Sequence, residues 1–293
     1  MPRVQTNGIE MEYDTFGDPK HPAMLMVMGL ACQMIVWDAV FCQRLADCGY
    51  YVIRYDNRDV GLSTKFDHLG QPRVSRLILK RRFRRPFETP YKLEDMCDDA
   101  CGLLDALGIE KAHVVGVSMG GMIAQLLALR APYRVLSVCS WMSTTGNPRY
   151  LRPKARALKA LLTRPENTLE ARLAHSVILQ RAIGSPPPLF NPERARRNAE
   201  RGFRRTTYMK GFARQFAAVL ASAPRDAALT NIRMPALVIH GAADPLIPAR
   251  AGIATAKCMY GARLVLLEGV GHDIPEAVWP RCIEALDRNA RLA

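Results

Sequence analysis

The sequence predicts an α/β fold, a mostly parallel sheet with helices on both faces and a block of helices inserted late in the chain. Three observations predict it. Apolar runs of strand length alternate with helix-length segments, the order that builds a parallel sheet. Most of those runs are continuously apolar, as strands covered on both faces are. One segment, from about Thr144 to Asp226, drops the alternation and is helical in composition throughout. With 293 residues, 49% of them hydrophobic and 23% charged, the chain has the composition of a globular protein with room for one large domain carrying an insertion.

Taken in order, Ile9 to Phe16 (IEMEYDTF) alternates, the pattern of a half-exposed antiparallel strand. Compact apolar runs follow at Ala23–Met28, Tyr50–Tyr55, His113–Val117, Leu136–Trp141, Ala236–His240 and Leu264–Leu267, and each reads as a parallel strand. Helical segments lie between them: Val36–Cys48, Leu93–Leu107, Met119–Arg130, Ala249–Met259 and Glu276–Arg288. The expected division is a core of 1–143 and 227–293 with a helical lid at 144–226. The lid is rich in Arg and Ala and is punctuated by GSPPPLFNP at 184–192. Gly146-Asn147-Pro148 and ASAPRD are its expected hinges.

The chemistry centres on VVGVSMGGM, Val114 to Met122. A bare Gly-x-Ser-x-Gly arises by chance in about one chain in ten of this length, so its context decides. Here it joins a strand to a helix, the setting of a nucleophile elbow. Gly116 and Gly120 permit the turn, Ser118 sits at its apex, and the N–H of Met119 starts the helix facing a developing oxyanion. A serine hydroxyl needs a base, and the base an orienting partner. Of six histidines, His113 and His240 lie in strands and read as structural, His21 and His68 fall in polar loops, and His175 is in the insertion. His272, in EGVGHDIP, follows a strand in a glycine-flanked loop and is the expected base. Asp244, in HGAADPLIP, also follows a strand; turn chemistry alone could explain an Asp-Pro, but it is the candidate orienter. Asp273 is discounted because neighbouring loop side chains diverge.

The order Ser118, Asp244, His272 is the order of α/β-hydrolases. Over essentially its full length the chain resembles that superfamily. VMGL and IRYDNRDVGLST, followed by a basic loop, are similar to the branch typified by aclacinomycin methylesterase. The resemblance implies an eight-stranded sheet with the lid inserted after the sixth strand. It also implies an oxyanion hole made by the backbone N–H groups of Leu30 and Met119. Where the superfamily usually has His-Gly, this chain has Met28-Gly29, which puts the bracing of that loop in question. Arg58 and Asp59 of the YDNRDVGLS signature are expected to brace loops, and Asp59 stands where the pattern often has Gly. A serine at the elbow argues against haloalkane dehalogenase or epoxide hydrolase chemistry, which uses an Asp there.

The expectation is a serine carboxylic-ester hydrolase acting through an acyl-enzyme on small to medium hydrophobic esters, with no metal or organic cofactor. A C–C bond hydrolase or cofactor-free perhydrolase would use the same three residues. A non-catalytic binder would be expected to have lost one of them, and all three are present. Trp37, Trp141, Met142 and Ile274 flank strand ends and could line an apolar pocket or simply pack the core. The net charge of +14 is concentrated: Gln71–Pro86 holds seven basic and no acidic residues, and Thr144–Asp226 holds 17 basic against 5 acidic. Solvated arginine-rich helices explain this. Attraction to anionic substrates or surfaces is the functional alternative, and specific nucleic-acid binding ranks last because no such motif accompanies the arginines. No apolar run approaches the roughly 20 residues of a membrane span, and MPRVQTNG does not read as a signal peptide. Eight scattered cysteines without a C-x-x-C pair fit reduced thiols in a cytoplasmic protein. Oligomeric state is left open.

Overall fold

The computed structural model describes residues 2–83 and 85–293. The strands are β1 (Arg3–Thr6), β2 (Ile9–Phe16), β3 (Ala23–Val27), β4 (Tyr51–Tyr55), β5 (Ala112–Val117), β6 (Val135–Trp141), β7 (Ala236–Gly241) and β8 (Arg263–Leu267). They form one eight-stranded sheet in the order β1-β2-β4-β3-β5-β6-β7-β8. The pairs β1–β2 and β2–β4 are antiparallel and the rest parallel.

The helices are α1 (Ala39–Asp47), α2 (Val74–Arg82), α3 (Leu93–Ala106), α4 (Met119–Arg130), α5 (Ala155–Leu162), α6 (Leu169–Ile183), α7 (Pro192–Arg205), α8 (Gly211–Ala221), α9 (Asp226–Leu229), α10 (Ala249–Cys258) and α11 (Trp279–Ala290). Alternation along the buried strands assigns the two faces of the sheet. Leu25 and Val27 of β3 and Val114 of β5 join one core with α3 and α4. Met24, Met26 and Val115 join the other with α1 and α11. β3 and β5 are buried at every residue, which is why they read as continuous apolar runs.

After β3 the chain crosses to β4 on one side, then returns to β5 on the other. The loops leaving β3 and β5 therefore diverge at the carboxyl ends of two adjacent strands, where open α/β sheets form their crevice.

Several expectations shift by physical cause. The helix expected from Val36 begins at Ala39, because Asp38 caps it by accepting from Val40 N; Met34–Val36 is a separate 3-10 turn. The basic loop after the YDNRDVGLS signature is a helix, α2, bounded by Pro72 and Pro86. Its Arg84 lies outside the described residues. β1 had no apolar run to mark it, since three of its four residues are not buried.

Between β6 and β7 the chain forms α5 to α8, as the composition of 144–226 indicates. The ends of this insertion lie side by side: Arg225 N donates to Thr145 O (2.8 Å), and the buried Arg225 side chain donates to Thr144 O (3.1 Å) and Gln125 Oε1 (3.1 Å). Two ion pairs tie it to the β4 loop, Arg205–Asp56 (2.6 Å) and Arg214–Asp59 (2.7 Å). Arg58 of the same loop pairs with Asp99 of α3 (2.6 Å). Part of the insertion's basicity is thus neutralised in the interior. Among the described residues no helix is long and apolar enough to cross a membrane.

Candidate active site

β5 passes into α4 through Ser118, the N-cap of that helix, at φ 56° and ψ −118°. A residue with a Cβ is strained there, and the surroundings hold it in place. Ser118 N donates to Trp141 O (2.8 Å), and Ser143 Oγ donates to Ser118 O (2.7 Å). The turn requires bare backbone at Gly120, where a Cβ would sit 2.2 Å from Val27 O. Ser118 is thereby set at the N-terminus of a twelve-residue helix, whose dipole favours negative charge.

The loop after β8 brings His272 to this serine, Nε2 to Oγ 3.1 Å. On its other side, His272 Nδ1 lies 2.6 Å from Asp244 Oδ2. Asp244 divides its two oxygens: Oδ1 accepts from Leu246 N and Ile247 N, both at 2.8 Å, while Oδ2 meets the imidazole. The turn bonding read from Asp-Pro and the orienting role are therefore compatible, one oxygen for each. Burial opposes charging the His272 ring, but the Asp244 carboxylate outweighs it, so the ring's pKa is raised above the ordinary 6.5. His240 also approaches Asp244, at 3.7 Å. Its Nε2 is engaged with Ile247 O (2.7 Å) and burial lowers its pKa, which leaves it a neutral packing residue.

The loop after β3 closes over the serine. A Cβ on Gly29 would lie 3.2 Å from Ser118 Cβ and 3.3 Å from Val117 O, a tight fit that glycine relieves where this backbone passes the serine. Asn57 Nδ2 donates to Met28 O (3.0 Å) and Gln215 Oε1 accepts from Ala31 N (2.7 Å). Gln215 Nε2 also reaches Arg58 O (2.7 Å). These amides, one from the β4 loop and one from α8, brace the segment in which Met replaces the usual His. They hold the Met28–Gly29 and Leu30–Ala31 peptides, and Gly29 O, in the peptide between them, accepts from Cys32 N (3.3 Å).

The remaining expected residues are placed as follows. Trp37, Trp141 and Met142, read as pocket lining or core, are 1%, 0% and 0% exposed and pack in the core. Trp37 stacks with Phe41 at 6.0 Å and tilts against Trp141 at 5.8 Å. Aromatic packing, which buries large apolar area, accounts for the two tryptophans, and Met142 is buried in the same cluster. Ile274 is partly buried at the edge of that cluster. His113 is held in β5 by Ser137 Oγ (2.9 Å), with burial lowering its pKa to about 4. His21 lies in a loop, His68 in a 3-10 turn and His175 in α6.

Asp273 does turn away from His272, but it has work of its own. Its Oδ1 accepts from Ser185 N (2.8 Å) and Ser185 Oγ (2.6 Å), and Oδ2 accepts from Gln180 Nε2. His272 N donates to Ile183 O (2.7 Å), and Gly271 N donates to Ser185 Oγ (3.0 Å). The end of α6 and the residue after its C-cap thus hold the backbone of Gly271 and His272 and the side chain of Asp273.

A family profile described as "alpha/beta hydrolase fold" matches residues 22–276. The chain belongs to the α/β-hydrolase fold family. This hydrolase is 29% identical over 299 residues to a rhodomycin D methylesterase, DauP, of a Streptomyces species (strain C5), covering 94% of this chain and 93% of that protein. It is 30% identical to a 2-hydroxymuconate semialdehyde hydrolase of Pseudomonas putida, over 71% of this chain and 70% of that protein. Its fold is like that of the enol-lactonase from Burkholderia xenovorans LB400, with TM-score 0.75 and 21% identity, over 99% of this chain and 100% of that one.

Sequence reasoning on the hydrolase missed Asn57, Gln215, Ser185 and Gln180, the polar residues that hold its loops. Asn57 lies within the YDNRDVGLS signature, which does not announce its partner; no motif marks the other three, because each acts across the fold on a partner distant in sequence. The nearest signal was Gly184-Ser185 at the start of an irregular stretch.

Proposed function

We propose that this chain is a serine carboxylic-ester hydrolase in which Ser118 is the nucleophile, His272 the base and Asp244 the orienting acid. The observation that carries the reading is the continuous chain of contacts, Ser118 Oγ to His272 Nε2 at 3.1 Å and His272 Nδ1 to Asp244 Oδ2 at 2.6 Å. His272 takes the proton from Ser118 as Oγ attacks the ester carbonyl. The N–H groups of Leu30 and Met119 receive the oxyanion. His272 then protonates the leaving alcohol, and a water activated by the same ring releases the acid from the acyl-enzyme. Asp244 fixes the tautomer and stabilises the imidazolium.

The helices of 144–226 serve as a cap whose contacts hold the loops after β3, β4 and β8. The partly buried apolar residues beside the reacting groups in sequence, Leu30 and Ile274, favour small to medium hydrophobic esters. The eight free thiols support a cytoplasmic setting. A second reading, hydrolysis of a C–C bond in a ring-fission product, draws support from the likeness to the semialdehyde hydrolase.

A panel of p-nitrophenyl esters of increasing acyl length, run beside 2-hydroxymuconate semialdehyde on wild type and His272→Ala, tests both. Ester turnover that peaks at short to medium acyl length and is lost in His272→Ala is expected. Turnover of the semialdehyde alone would establish the second reading. A fluorophosphonate probe should label wild type and not Ser118→Ala; equal labelling of both refutes the mechanism.

A further inference from the structure

Helix α2 presents a face that the described fold does not cover. It packs against α8 of the insertion, and Leu77, 6% exposed, is its one buried residue. On its other side Leu79 and Phe83, one turn apart, are 56% and 63% exposed. The exposed residues between Val74 and Phe83 are Ser75, Arg76, Leu79, Arg82 and Phe83. At 3.6 residues per turn these five fall within an arc of about 120°. The apolar pair occupies the middle of that arc, with Arg82 on one flank and Arg76 on the other.

Arg73, Lys80, Arg81 and Arg85 extend the positive charge along the segment, and 71–86 contains no acidic residue. Among the described residues none of these cations forms an ion pair. Asp67, in the turn before α2, is already engaged by Arg214 (3.3 Å), Tyr208 (2.7 Å) and Lys210 (3.8 Å). The helix follows the loop at the carboxyl end of β4, which runs parallel to β3 as β5 does. It therefore stands at the same end of the sheet as Ser118.

We propose that α2 docks the protein on an anionic phospholipid surface. Leu79 and Phe83 enter the boundary between headgroups and acyl chains, while Arg76, Arg82 and their neighbours meet lipid phosphate. The two chemistries on one narrow face select this occupant. A bilayer surface offers apolar depth beneath negative charge, which is what an apolar pair rimmed by cations fits. A second copy of the chain would set cation against cation. A nucleic acid would neutralise the arginines and leave the apolar pair without a partner. The proposal does not depend on the reaction at Ser118.

Co-sedimentation of the full chain with vesicles of phosphatidylcholine alone, and of phosphatidylcholine with phosphatidylserine, tests it. Binding is expected to the mixed vesicles only and to weaken as salt rises. Leu79→Glu/Phe83→Glu and Arg76→Glu/Arg82→Glu should each reduce affinity by about tenfold or more, with turnover of a short water-soluble ester unchanged. Phe83→Trp should show a blue shift of its emission on the mixed vesicles, a readout that needs no disruptive change. Absence of binding to the mixed vesicles overturns the proposal, as does binding that both double variants retain. Equal binding to both lipids, or a duplex DNA that displaces the protein from vesicles in a manner insensitive to Leu79→Glu/Phe83→Glu, overturns it too.

Discussion

Asp59 occupies the left-handed region, at φ 69°, in a position where glycine is the unstrained choice. Its carboxylate explains why an acid is there: it accepts from Arg214 Nε (2.7 Å), Arg214 NH2 (2.8 Å), Tyr91 OH (2.8 Å) and Phe66 N (2.9 Å). Asp59→Gly relieves about 1–3 kcal/mol of backbone strain but strands a buried guanidinium, which costs about 3–5 kcal/mol. The pair wins, so urea unfolding should show a net loss of about 2 kcal/mol. Asp59→Gly/Arg214→Met, which removes both charges, should recover most of it; a double variant as unstable as the single one would contradict the assignment. At His272 the sign of the pH dependence follows from the raised pKa. As the proposed base it would work only when neutral, so kcat/KM should fall with decreasing pH along a limb that lies above 6.5. Asp244→Asn should move that limb down and lower kcat by about four orders of magnitude. A limb that stays in place in Asp244→Asn would mean that another group sets it.

At the level of elements, legibility followed how locally each one is determined. Ile9–Phe16 and Met119–Arg130 were readable to the residue, because alternation in the first and the elbow in the second mark their own limits. Four-residue β1 was not, since it exists only as a partner of β2. The basic charge of α2 hid its single buried leucine. Ser118, Asp244 and His272 were legible because each follows a strand in a recognisable turn, and the structure brings all three together. The residues that hold them were not. Ser185 meets Asp273 across 88 positions of sequence, and neither end carries a pattern that announces the other. That contact has a functional consequence. Ser185→Ala removes a donor to a buried carboxylate and frees Gly271 N beside the His272 ring, so kcat should drop by roughly tenfold with KM little changed. A loss confined to KM would assign Ser185 to substrate contact instead.

For the whole molecule, the insertion and the sheet are one interlocked unit. Gln215 reaches the loops after β3 and β4, Arg205 and Arg214 pair with the β4 loop, and Ile183 and Ser185 bond the loop after β8. The loops after β3, β4 and β8 are therefore held from the insertion side as well as from the sheet. Such coupling makes local opening of the insertion expensive in spite of its charge. The segment Thr144–Asp226 contains 17 Lys and Arg, abundant sites for trypsin, yet cleavage needs the helices to open first. Arg214→Ala removes the clamp on α8 and leaves Asp59 buried without its cation, at a cost of about 3–5 kcal/mol. Where opening and closing are fast, the cleavable population rises with that cost, so digestion should accelerate by about a hundredfold or more. Mass spectrometry of the first fragments should map the new cuts to 144–226, with Ser118→Ala digested at the wild-type rate. Early cuts spread evenly through the sheet would show that the ion pair stabilises the fold globally and does not lock the insertion down.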